Sequence, residues 1–167
     1  MNRPLNSHTA NADTTAMSRL SVAERLFIWG FRSLAQQQRP GSPTRAELHH
    51  VFEHFSVIDS VPSIDALLQT FDCTAHSSIE LHIAGCCCLS AGEHNLLRTI
   101  SAVQHKDYDT ALMQFERWLP PVTASWALSP TRGLTTIFAA AGLTLPNRDY
   151  GEIAVMQNIA AAPVTLH

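Results

Sequence analysis

Three times along this chain a serine or threonine stands three residues before a glutamate at the head of an apolar stripe: Ser21 with Glu24, Thr44 with Glu47, and Ser90 with Glu93. Each pair can form a capping box. The hydroxyl accepts from the third helical amide, and the carboxylate accepts from the amide of the cap residue. That reciprocal closure satisfies donors that a helix start otherwise leaves bare, so each pair dictates where a helix begins.

Behind the first cap, Leu26, Phe27, Gly30, Phe31 and Leu34 recur at helical spacing until Arg39-Pro40-Gly41 stops the run. Behind the second come Leu48, Val51, Phe52 and Phe55, and behind the third Leu96, Leu97, Ile100 and Val103. Pro62 and Ser63 open another helix, with Ile64, Leu67, Leu68 and Phe71 on its core face. Asp107 to Leu119 reads as a further helix, ended by Pro120-Pro121. A last one runs from Ser129-Pro130 through Leu134, Ile137 and Phe138 to Gly142 at the C′ position. Only Ser78-Ile79-Glu80-Leu81-His82-Ile83 alternates polar and apolar, the period of extended backbone. The fold class is therefore all-α: about six helices in a compact irregular bundle, with one short extended segment near residues 78–84.

The chain divides into a polar, aperiodic tail over residues 1–18, a helical domain over 19–146, and a C-terminal tail over 147–167. Within that last tail Ile153 to Ala162 reads as a short helix or docking segment, and Met17 offers an internal translation start that would remove the first tail. At 167 residues one core can bury roughly 70% of the unfolded surface, so no metal or disulfide is needed merely to fold. Net charge is −3 with a single lysine, Lys106, and scattered arginines, which leaves no basic stripe for nucleic acid. No stretch has the roughly 20 apolar residues of a membrane span, and no signal-peptide core opens the sequence, so a reducing cytoplasm is the expected address.

The chemistry is concentrated in one place. All four cysteines lie between Cys73 and Cys88, with Cys86-Cys87-Cys88 contiguous, His82 four residues upstream and His76 further back. Adjacent cysteines rarely bridge without strain, so the group does not read as a secretory framework. Thiolate and imidazole are the donors zinc favours. Continued alternation puts Glu80, His82, Cys86 and Cys88 on one side and Cys87 with the apolar set, although Gly85 permits a bend that resets the phase. The expected metal ligands are His82, Cys86, Cys88 and Cys73, with His76, Glu93, His94 or water as other sources of a fourth donor, and zinc or iron as the ion. Cys88 lies just before the helix that Ser90 caps, where the positive helix end would lower a thiol pKa. Against this stands the plain reading in which the cysteines are small core residues.

Other chemistry is thin. His50 and His54 share a helix face, but the His-Glu-x-x-His order is absent, so His49, His50 and His54 read as solvent-exposed. Arg132-Gly133 near a helix start could meet an anion, yet a solvated first turn accounts for it. Trp29, Trp118 and Trp126 read as helix packing, and no nucleophile elbow or phosphate loop occurs. No acid–base pair can be placed with its partner.

The stretches Ala23-Glu24-Arg25-Leu26-Phe27, Leu81-His82 to Cys88-Leu89-Ser90, and Ala139-Ala140-Ala141-Gly142-Leu143 resemble a family of small helical bacterial proteins. These carry a cysteine-rich segment before a helix and have no assigned activity. The resemblance implies an intracellular helical domain and favours Cys86 and Cys88 as the working pair. Three functions follow as expectations: a non-enzymatic binding or regulatory module with a Cys/His metal site; a thiol redox protein using Cys86 and Cys88; or a metal-free scaffold that meets a protein partner or a second copy through its helix faces.

Overall fold

The computed structural model describes residues 17–147, so residues 1–16 of the expected 1–18 tail and 148–167 of the expected 147–167 tail, with the helix or docking segment expected at Ile153 to Ala162, lie outside the described residues. The described chain is all-α and has six α-helices: α1 (Val22–Ala35), α2 (Arg45–His54), α3 (Val61–Thr74), α4 (Ala91–Gln104), α5 (Tyr108–Phe115) and α6 (Pro121–Ala140). Short 3₁₀ turns at Met17–Arg19 and Ile58–Ser60 precede α1 and α3. None of the described helices is long and apolar enough to cross a membrane.

The three capping boxes form as their spacing requires. Ser21, Thr44 and Ser90 each accept from the amide of the glutamate three residues on, and that glutamate accepts from the cap amide. With its entry fixed, α1 turns Phe27, Ile28 and Phe31 fully inward, and Gly30 lets α2 approach, because a methyl there would collide with the Phe52 ring. Lys106, at φ 65°, makes the reversal between α4 and α5.

The last helix departs from expectation. Instead of beginning at Ser129-Pro130, α6 begins at Pro121 and runs 20 residues with Pro130 inside it. A mid-helix proline removes one amide donor and crowds the carbonyl four residues back, at a cost of about 3 kcal/mol. The burial pattern shows why the helix continues: Ala124, Ala127, Thr131, Leu134 and Phe138 keep one phase on both sides of the proline and pack into the bundle. Pro121 supplies the ordered first turn that Pro130 was expected to supply. Conversely α5 is shorter than its stripe, ending at Phe115, while Trp118 and Leu119 stay buried in the turns that follow.

At the centre, α6 packs on α3, α4 and α5 while α1 crosses α3. Phe71 links the layers, with Phe31, Phe115 and Trp118 rings at 6.0 to 6.5 Å. Residues 75–90 leave α3, run irregularly past the end of α1 and return at the start of α4. This is the connector that carries the cysteines.

Candidate metal centre

An irregular segment beside a core must find partners for its main-chain polar groups, and among the described residues this one lies in no β-strand. The partner is Arg32, a fully buried residue on α1. A guanidinium has five N–H donors, and all are used here. Nε donates to Glu93 Oε1 at 2.5 Å, and Nη1 donates to the carbonyls of Cys86 at 2.9 Å and Ile83 at 3.4 Å. Nη2 donates to the Cys88 carbonyl at 2.6 Å and to Glu93 Oε2 at 2.7 Å.

Glu93, also fully buried, accepts in addition from the amides of Ser90 at 2.8 Å and His82 at 3.1 Å. Gln36 Nε2 donates to the His82 carbonyl at 2.8 Å, and the Ser90 hydroxyl donates to the Glu80 carbonyl. Burial alone would raise the Glu93 pKa. The Arg32 guanidinium and the two amides outweigh it and hold the carboxyl below its ordinary range. One ion pair, closed at 0% exposure on both sides, thus holds the loop from behind.

On the outer side of that loop, one donor atom from each of His82, Cys86 and Cys88 lies within 4.8 Å of the other two. The Sγ atoms of Cys86 and Cys88 are 2.7 Å apart, and His82 Nδ1 is 3.5 Å from the first and 3.3 Å from the second. Tetrahedral zinc with ordinary bond lengths would set sulfur–nitrogen separations near 3.6 Å and sulfur–sulfur near 3.8 Å. The imidazole is already at that spacing; the sulfurs must open by about 1 Å. All three residues are half-buried. His82 Nδ1 also lies 3.2 Å from the Cys88 carbonyl, so a metal there would compete with a local hydrogen bond for the same nitrogen.

The two thiols titrate unequally. A hydrogen bond from Cys88 lowers the pKa of Cys86, with the Arg32 charge adding to it. The same bond, together with burial and the neighbouring Cys86 and Cys87 sulfurs, pushes Cys88 up to about 11. The expectation that the α4 N-terminus prepares Cys88 as a thiolate is therefore corrected. Between the two sulfurs, the shared hydrogen bond favours negative charge on Cys86 over Cys88.

The rest of the expected donor set sits elsewhere. Cys73 is exposed on α3, His76 is exposed, His94 is half-buried, and none belongs to the converging group; Glu93 is engaged by Arg32 and two amides. Cys87 is exposed and its carbonyl accepts from the Met17 amide at 2.8 Å. The alternation holds for Ile79 and Leu81, which pack on the core and line a cleft of about 410 Å³ with Phe31 and Phe71. It breaks at Ile83, 63% exposed, because a turn closed by the Cys86 amide on the Ile83 carbonyl puts Ala84 inside instead.

Three lesser readings change as well. His49 is half-buried with its Nε2 enclosed, whereas His50 and His54 are exposed as expected. Arg132 is mid-helix, over the Tyr108 ring at 5.4 Å, with no helix start to offer an anion. Trp126 is exposed while Trp118 is buried.

Arg32 and Gln36 were not legible as site residues. The available signal was positional: Arg32 lies four residues from Ile28 and four from Gln36, inside the buried face of α1. Compared with protein-family models, curated proteins and solved structures, the chain matches none of them.

Proposed function

We propose that this chain is a non-enzymatic binding or regulatory module that holds a soft divalent metal ion, zinc before iron, at His82 Nδ1 and the sulfurs of Cys86 and Cys88. The observation that carries this reading is the convergence of three zinc-type donors on a loop whose carbonyls are fixed by a buried arginine. An ordinary packing cysteine needs no such support, and ligands held from behind are what a metal site requires. The fourth position is left to water or to a donor from a partner protein or a second copy, which is how the ion would serve regulation. The family resemblance and an intracellular bacterial setting are consistent with this.

Elemental analysis of chelator-free preparations tests it. About one equivalent of zinc or iron is expected, lost in Cys86→Ser and Cys88→Ser and kept in Cys73→Ser. Protein that stays metal-free after incubation with Zn²⁺, and whose stability ignores chelators, would end the reading.

A second reading has its own support in the unequal thiols: a metal-free dithiol couple in which Cys86 attacks and Cys88 resolves. It requires Cys86 to alkylate at neutral pH faster than a model thiol.

A further inference from the structure

We infer that the Cys86–Cys88 pair is a redox gate on the metal site: two-electron oxidation by a peroxide joins the two sulfurs and expels the ion. This rests on the metal reading above and adds to it the means by which the ion is released.

The geometry places the pair between two states. The sulfurs stand 2.7 Å apart. A tetrahedral ion would spread them to about 3.8 Å, whereas a covalent bridge would draw them to about 2.05 Å. From the observed 2.7 Å the sulfur separation changes by about 1.1 Å toward the first state and by about 0.7 Å toward the second. The main chain is held at both cysteines by a single guanidinium, with Arg32 donating to the Cys86 carbonyl at 2.9 Å and to the Cys88 carbonyl at 2.6 Å. The loop therefore keeps the two thiols together whether or not an ion lies between them. The other cysteines are outside this arrangement, Cys87 exposed beside it and Cys73 exposed on α3.

The two states exclude each other, because a metal needs thiolates and a bridged sulfur has given up that charge. The reaction balances as follows. The Cys86 sulfur attacks the near oxygen of the peroxide; an S–O bond forms, the O–O bond breaks, and the alcohol or water leaves with a proton from solvent. The Cys88 sulfur then attacks the resulting sulfenic acid; an S–S bond forms, the S–O bond breaks, and water leaves after taking a second proton. Two electrons pass from the sulfurs to the peroxide, and the divalent ion departs with both thiolate ligands gone. A thiol reductant returns the electrons and restores the site.

The full chain, loaded with Zn²⁺ and freed of excess, provides the test. Zinc content is measured first, so failure of the metal reading is seen before any oxidant is added. Titration with hydrogen peroxide is then followed by a chromogenic zinc indicator, thiol counting and peptide mapping. The expected result is one zinc released per peroxide consumed, two thiols lost, a Cys86–Cys88 bridge, and zinc uptake restored by reductant. The same stoichiometry is expected in a Cys73→Ser/Cys87→Ser variant, whose replaced side chains are exposed and whose helicity is checked by circular dichroism. Zinc retained while other thiols oxidise would overturn the inference. So would release that accompanies sulfinic acid, or a bridge that includes Cys73 or Cys87.

Discussion

Where α3 meets α6 the seam is made of side chains that need no particular partner. Ile64, Leu67 and Phe71 come from one helix and Ala127, Leu134 and Phe138 from the other, all in one apolar core. The connector that leaves α3 is built the other way. Its carbonyls at Ile83, Cys86 and Cys88 are held by one guanidinium, and the amides of His82 and Ser90 are held by one carboxylate. An apolar seam distributes its stabilisation over many weak contacts, so it tolerates exchange of one side chain for another of similar volume. A polar clamp concentrates it in two groups, neither replaceable alone. The first kind of region sets the fold; the second sets the position of donor atoms.

The largest expected effect separates the two. Arg32→Met would leave the Glu93 carboxylate buried without its cation, a loss of about 3 to 5 kcal/mol, and would release the loop that carries His82, Cys86 and Cys88. Phe138→Ala, a buried cavity in the seam, has a similar cost of about 3 to 5 kcal/mol. Urea unfolding should therefore rank the two alike, while zinc affinity should fall by about 10- to 100-fold only in Arg32→Met. Equal loss of zinc in both variants would show that the clamp has no special relation to the site.

Acid should act on the connector more than on the seam. Metal-free protein makes the sign clear. Because the folded Glu93 pKa lies below its unfolded value of 4.5, its contribution is present above that value and fades as pH falls through the folded pKa. In Arg32→Met burial is left without its main counterweight. The folded pKa should rise above the unfolded one, and the slope should reverse, stability falling as pH rises through that window. Chemical denaturation at a series of pH values between about 3 and 6 measures both slopes; parallel slopes would place the carboxylate outside the clamp's control.

Legibility in the sequence follows the same division. Capping boxes are local, so Ser21, Thr44 and Ser90 marked their helices correctly. The apolar stripes likewise gave the core of α1, α3 and α4. The α6 start was misplaced because Pro130 is a local stop signal, and the tertiary packing that overrides it cannot be read from its neighbours. The donors His82, Cys86 and Cys88 were legible as a cluster because they are close in sequence. Their clamp was not, since Arg32 is 61 residues from Glu93 and a buried ion pair has no periodicity. Glu93 was read as a cap and as one source of a fourth metal donor, not as half of an ion pair; its cap and its clamp share Oε2, and Oε1 is left to Arg32 and the His82 amide.

A methyl group can disturb the connector without removing any charge. Gly92 lies in the first turn of α4, and a Cβ there would sit 3.0 Å from the amide nitrogen and from the carbonyl oxygen of Glu80, and 3.0 Å from Ile79 Cγ2. Two of those three atoms are main chain, so the connector itself must move. Gly92→Ala should cost about 1 to 3 kcal/mol by overpacking and should weaken zinc binding about 10-fold through the displaced His82. Unchanged affinity, read by competition with a chelator, would mean that the donors move independently of the segment behind them.

The smallest expected effect divides a single residue between the two regions. Ser90 caps α4 by accepting from the Glu93 amide at 3.1 Å and also donates to the Glu80 carbonyl of the connector. Ser21 makes the same kind of cap on α1, accepting from Glu24 at 3.2 Å. Loss of a serine cap costs about 1 kcal/mol, within a range of roughly 0.5 to 2, so Ser21→Ala supplies the reference value for a cap alone. Ser90→Ala should exceed it by about 1 kcal/mol, the usual net worth of one more hydrogen bond, and it alone should lower zinc affinity. Equal losses in both variants, with zinc binding untouched, would assign Ser90 wholly to the helix and leave the connector held by Arg32, Gln36 and Glu93 without it.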